Sequence, residues 1–230
     1  MTRDTALILG ASKGLGAEIA AACRSREWRT IEVASSLDDA AAEGRLTLRC
    51  NLKGEHSTRT LLQRLPGAMA IDHFFWVAGT WWEGEFAEMT LKELLALIDV
   101  NFRNAMLVAH AVWQQHMRAS STRATYTVIG STSGVRPRKN QEVYAATKHA
   151  QVGFARSLGE SNPNPNVHVS LFILGGMRTH LFDAKPPANL AEFMDPAKVA
   201  AHIVRAVAEQ QDPYLEQEVS RDTPLGQSLR

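Results

Sequence analysis

Apolar residues along this chain fall into short, near-continuous runs separated by longer segments of helical character. The runs are TALILG (5–10), TIEVAS (30–35), LTLRCN (46–51), DHFFWVAG (72–79), ATYTVIGS (124–131) and HVSLFIL (168–174). Each has the length of a strand and shows little polar alternation, the pattern of a strand buried on both faces. Helical character is carried by GLGAEIAAACRS (14–25) and by the stretches 90–118, 143–159 and 196–211. Strands that alternate with helices in this way predict a parallel sheet with right-handed crossovers and helices on both faces. The fold class is therefore α/β, a doubly wound parallel sheet. With no internal repeat and no linker-like tract, residues 1–230 read as one domain. The longest irregular stretch is DAKPPANLAEFM (183–194), and 180–195 is a candidate substrate lid.

Composition narrows the partners. A formal net charge of +1 argues against nucleic acid. No run of about 18 apolar residues is present, so no membrane span is expected. The apolar segment near the N-terminus is too short for a signal peptide and runs into a turn, which predicts a cytoplasmic protein. Cys23 and Cys50 form no CxxC pair and fit packing in a reducing cytosol. The eight histidines show no HExxH spacing, so no metal site is expected.

The junction of the first strand and first helix, LGASKGLG, places Gly10, Gly14 and Gly16 in a GxxxGxG pattern around Ser12, Lys13 and Leu15. Glycines allow a tight turn and a close backbone approach, and the helix N-terminus that follows attracts a pyrophosphate. This predicts a Rossmann-like dinucleotide site. An NAD-binding protein often carries a carboxylate at the end of its second strand for the ribose hydroxyl. Ala34, Ser35 and Ser36 stand there instead, with Glu32 earlier and Asp38 and Asp39 later. Hydroxyls at the strand end and Lys13 in the loop favour a 2′-phosphate, hence NADP(H) over NAD(H).

A second pair of residues raises a chemical question. Tyr144 and Lys148, in EVYAATKHA, are four apart and would share one helix face. A fixed ammonium beside a phenol lowers its pKa. Taken alone, such a pair is more readily an ordinary exposed helix pair.

The ordered set of motifs resembles the classical short-chain dehydrogenase/reductase family over nearly the whole chain. GASKGLG resembles the cofactor loop, and VAGT (77–80), with Ala78 and Gly79, the segment after the fourth strand. Asn101 in DVNFRN matches a helix asparagine, Ser131 precedes Tyr144 by thirteen residues, and Tyr144 with Lys148 forms YxxxK. LGGMRT (174–179), with Gly175, Met177 and Thr179, resembles the segment beside the nicotinamide. Asn51, followed by Leu52, takes the place of an aspartate near the adenine.

The resemblance implies a hydride transfer between NADP(H) and a small-molecule carbonyl or alcohol. Tyr144 would be the general acid or base. Lys148 would acidify it and hold the nicotinamide ribose, and Ser131 would hydrogen-bond the substrate oxygen. Asn101 would hold a water linking Lys148 to solvent. The substrate loops would be 81–86, 134–143 and 180–194, whose Trp, Phe and Met residues suggest a partly apolar substrate. Family members of this kind commonly pair two long helices across a two-fold axis, which predicts a homodimer or homotetramer. The alternative is a non-catalytic NADP-binding regulatory protein, which would be expected to have lost Tyr144 or Lys148.

Overall fold

The strands follow the apolar runs because the central runs bury both of their faces. In the computed structural model, which describes residues 3–65 and 70–230, one eight-stranded sheet forms the centre of the chain. Its strands are β1 (Thr5–Leu9), β2 (Arg29–Ala34), β3 (Ala40–Ala42), β4 (Arg45–Arg49), β5 (His73–Trp76), β6 (Ala124–Ser131), β7 (Val167–Leu174) and β8 (Tyr214–Val219). The helices are α1 (Gly14–Ser25), α2 (Glu55–Arg64), α3 (Leu91–Ile98), α4 (Asn104–Val112), α5 (Glu142–Ser161), α6 (Pro196–Glu209) and α7 (Pro224–Ser228). The sheet order is β3-β4-β2-β1-β5-β6-β7-β8, parallel throughout except for the antiparallel edge strand β3.

Strand periodicity divides the core into two layers. Leu7 and Leu9 of β1 face one side, with Trp76, Tyr126 and Val128, and are covered by Ala105, Val108 and Val112 of α4 and by Val152 and Ala155 of α5. Ala6 and Ile8 face the other side, with Phe75, Ile129 and Phe172. There Ile19, Ala20 and Cys23 of α1 and Val199, Ile203 and Val207 of α6 close over them. Burial of this kind contributes about 25 cal/mol per Å² of apolar surface.

Four elements depart from the sequence reading. The AAA of β3 is exposed and is held by pairing with β4. The polar helix α2 buries only Thr58 and Leu61. β8 extends the sheet in parallel beside β7, where the sequence offered no apolar run. The expected helix 90–118 is helical from 91 to 117, but one π-turn, Asp99–Arg103, interrupts it and a second, Trp113–Met117, ends it. Its start is fixed by a capping box in which the Thr90 hydroxyl accepts from Glu93 N–H while the Glu93 carboxylate accepts from Thr90 N–H.

Candidate active site

The strands end in a shared cleft. Chain direction across the sheet reverses between β1 and β5, which splays the loops after these strands apart and leaves a crevice at their carboxyl ends. A cleft of about 680 Å³ lies there, lined by the loops after β1, β2, β4, β5, β6 and β7.

Its floor is the glycine loop. Gly10 has φ +101, and a Cβ there would lie 2.6 Å from Ala78 N. At Gly16 a Cβ would lie 1.9 Å from the Gly10 carbonyl oxygen, so only glycine lets α1 start so close to the turn. Lys13 is the N-cap of α1 and gives no side-chain cap, so the first-turn N–H groups are not used by a capping side chain. The site fits a dinucleotide: a backbone cradle, a helix N-terminus and Lys13 face the cleft, with Ser12, Leu15, Ser35, Asn51, Leu52, Ala78 and Gly79 around them. Glu32 does not compete as an acidic ribose ligand. It is 2% exposed and bound by Arg24, by Arg45 at 2.7 Å and by the Thr30 hydroxyl. Asp39 is likewise engaged, by Arg49 N–H and by Arg64.

The opposite wall carries the candidate catalytic side chains. Ser131 ends β6, and its hydroxyl accepts from Ser133 N–H at 3.1 Å. Tyr144 and Lys148 are buried on α5, which rules out the ordinary exposed pair. Burial raises the Tyr144 phenol above its usual pKa, while a hydrogen bond with Ser131 pulls it down. Burial pushes the Lys148 ammonium down to about 8. The Lys148 Nζ donates to the Ile129 carbonyl at 3.1 Å and to Gln151 Oε1 at 2.8 Å. Burial thus outweighs the hydrogen bond at the phenol, contrary to the expected acidification, and the Lys148 ammonium is aimed at two neutral acceptors.

Asn101 and Ser36 do not line the cleft. Asn101 sits in the π-turn, fully buried behind it, where its Oδ1 accepts from Thr80 N–H at 2.7 Å and its Nδ2 donates to the Thr80 carbonyl at 2.9 Å. This two-point clasp holds the loop that carries Gly79 and Thr80. Asn101 is joined to Lys148 through a side chain: Gln151 Nε2 donates to the Asn101 carbonyl at 2.7 Å, and Gln151 Oε1 accepts from Lys148 Nζ. Ser36 follows Ser35 into an exposed turn beyond the end of β2 and lies off the cleft.

The substrate end is closed by the segment after β7. Gly175, Met177 and Thr179 line the cleft, and Thr179 comes close enough to the glycine loop that a Cβ on Gly14 would lie 3.2 Å from its Cβ. Trp81, Phe182 and Phe193 make an edge-to-face aromatic chain, with ring centroids 5.1 and 5.6 Å apart. Glu83 accepts from Lys185 at 2.9 Å and from Gln141 at 2.8 Å, tying the 180–195 segment to the loop after β5. In the basic RPRKN loop, Arg136 pairs with Glu218, whereas Arg138 lines the cleft and donates to the Thr132 hydroxyl. Glu83, Gln141 and Gln151 escaped the sequence reading. A helical spacing of three from Lys148 was the available signal for Gln151.

This cleft, with its glycine cradle and its serine, tyrosine and lysine, defines a class. The profile of the short chain dehydrogenase family matches residues 4–189, and the chain belongs to that family. Among its relatives, the 3-oxoacyl-[acyl-carrier-protein] reductase of Rattus norvegicus is 24% identical over 223 residues, covering 90% of this chain and 91% of the relative. The acetoacetyl-CoA reductase of Shinella zoogloeoides is 25% identical over 197 residues, covering 83% and 81%. Solved folds agree. A short-chain dehydrogenase from Sphingobium yanoikuyae in complex with NADPH superposes with a TM-score of 0.82 at 24% identity, covering 94% of this chain and 87% of that one. A Brucella melitensis 3-ketoacyl-(acyl-carrier-protein) reductase complexed with NADH gives 0.80 at 18% identity, covering 94% and 96%.

Proposed function

We propose that this chain is an NADP(H)-dependent oxidoreductase acting on a carbonyl or alcohol group, with Tyr144 as its general acid and base. The observation that carries the reading is the convergence of Ser131, Tyr144 and Lys148 on the cleft that the glycine loop floors. When bound, the nicotinamide supplies or accepts the hydride. In the reducing direction Tyr144 gives its proton to the substrate oxygen as negative charge develops there. Ser131 hydrogen-bonds the same oxygen, and Lys148 holds a positive charge beside the phenol. Reduction of a ketone is in keeping with the names of the relatives above. The aromatic chain of Trp81, Phe182 and Phe193 supports a partly apolar substrate, with 180–195 as a lid over it. Free, buried Cys23 and Cys50 suit a reducing cytosol; burial pushes the Cys23 thiol up to about 12, where it is inert. Loss of NADPH absorbance with a panel of ketones and aldehydes tests the reading. A panel without turnover, alongside intact NADPH binding, would favour a regulator.

Preference for NADPH over NADH rests on Lys13 and Ser35 facing the cleft and on the engagement of Glu32 elsewhere. Titration calorimetry is expected to give the lower Kd for NADPH. Lys13→Ala should weaken NADPH by about 1–3 kcal/mol, the cost of a lost charged hydrogen bond, and leave NADH nearly unchanged. Equal affinities for the two cofactors would refute the preference.

Self-association is the companion reading. Phe86, Leu91 and Leu95 are exposed, and Phe86 borders an apolar groove between α3 and α5 lined by Leu94, Ile98, Phe102, Val143 and Ala146. A patch of this kind is uncommon on a monomer and suits a two-fold interface. Light scattering at micromolar concentration should give a multiple of 25.3 kDa. Leu95→Asp should return the single-chain mass.

A further inference from the structure

Gln151 is a polar side chain in contact with Lys148 that no motif singles out. It lies on α5, one turn beyond Lys148, and is fully buried. Its Oε1 accepts from Lys148 Nζ at 2.8 Å, and its Nε2 donates to the Asn101 carbonyl at 2.7 Å. Those two partners fix which way the amide points. Turned over, it would aim an NH₂ at an ammonium and an oxygen at a carbonyl, two repulsive contacts in a buried place.

We propose that Gln151 is a positioning residue whose carboxamide ties the Lys148 ammonium to the Asn101 π-turn, holding the lysine charged and aimed. The proposal rests on the reading of Tyr144 and Lys148 given above. Lys148 has three N–H donors. The Ile129 carbonyl and Gln151 Oε1 take two, so their positions dictate the direction of the third. Both acceptors favour the protonated amine, whereas burial disfavours it. The groups packed round the ammonium from other elements are neutral. β6 offers the Ile129 carbonyl, the π-turn offers Asn101 through Gln151, and the backbone at Gly79 comes close enough that a Cβ there would lie 3.7 Å from Nζ. Of the titratable residues on the same helix, Tyr144 lies one turn before Lys148, and burial raises its phenol above the usual pKa. Gln151 is thus an adjustable contributor to the charge state of Lys148. A carboxamide neither takes up nor releases protons in this range, so it anchors the ammonium without conducting protons away from it.

The test is the titration of Lys148 in the full chain, followed by NMR of ¹³C-labelled lysine side chains with Lys148→Arg identifying the signal. Gln151→Leu should lower the midpoint by roughly one unit, as for the loss of one hydrogen bond to a charged group. The near-isosteric Gln151→Glu should raise it by at least as much, by placing a carboxylate against the ammonium. The alkaline limb of turnover should move in the same two directions. If Gln151→Leu does not fold, Gln151→Glu decides alone. A midpoint within about 0.2 units of the unsubstituted protein in the folded variants overturns the proposal. The lysine signal reports this whether or not Tyr144 proves catalytic, so failure here and failure of the catalytic reading are told apart.

Discussion

Tyr144→Phe is expected to bind NADPH normally and to lose turnover by about 10²–10⁴-fold, the usual contribution of general acid–base catalysis. The substitution keeps the ring, which is buried against the cleft wall, and removes only the hydroxyl that meets Ser131. Binding should survive because the glycine loop and Lys13 are untouched. Fluorescence titration with NADPH and steady-state rates on a substrate found in the ketone panel give the two readouts. Near-normal turnover would mean that another group supplies the proton. The pH dependence carries a definite sign. Reduction needs Tyr144 protonated, and its raised pKa keeps it so across the neutral range. Reduction should therefore hold through neutral pH and decline first as the Lys148 ammonium loses its proton at about 8. A loss that sets in on the acid side of neutrality would contradict this order.

Gly16→Ala should be nearly as damaging, and by a different route. The added Cβ would lie 1.9 Å from the Gly10 carbonyl oxygen and 2.8 Å from its carbon, both backbone atoms with no side chain to yield. The loop must move away from α1, at a cost of about 1–3 kcal/mol for overpacking of this kind. The moved loop is the proposed cofactor floor, so NADPH affinity should fall more than tenfold together with a drop in Tm. Gly153→Ala on α5 is the matched control: a Cβ there has nothing within 4 Å, and alanine is the better helix former. Calorimetric melting and NADPH titration of the two variants should separate them cleanly. Equal behaviour would remove the steric account of the glycine loop.

How much of this was legible beforehand depended on whether burial wrote itself into composition. β1, β5, β6 and β7 are buried on both faces, so their residues are apolar in unbroken runs, and the doubly wound sheet could be read from them. β3 and β8 lie at the two edges of the sheet, where backbone pairing holds segments such as AAA and YLEQEV that lack that pattern. α2 was lost for a related reason, since ten mostly polar residues bury only two. In the site, glycine spacing and YxxxK were visible because the motif residues are contiguous. The partnership of Gln151 with Lys148 and Asn101 was not, because it joins α5 to a turn fifty residues away. Nor could sequence show that Lys148 is aimed at Ile129 and Gln151, since acceptor direction belongs to the assembled cleft.

The π-turn at Asp99–Arg103 has a consequence for how this protein can change. A π-turn amounts to one extra residue in an α-helix, and each helical residue advances the side-chain direction by about 100°. Upstream, α3 keeps Leu91 and Leu95 outward, while downstream α4 turns Ala105, Val108 and Val112 into the sheet. Removing one residue between 99 and 103 would relax the turn to an ordinary helix and leave the faces of α3 and α4 in place, because the π-turn already absorbs that residue within a single turn. What would be lost is the local bulge that holds Asn101 against Thr80. Loss of a residue from the regular helix at 91–98 would instead rotate α3 against α4 by that angle and pull its outward face round. Single-residue gaps among descendants of the chain that keep the fold should therefore fall within 99–103 and not in the helix on either side.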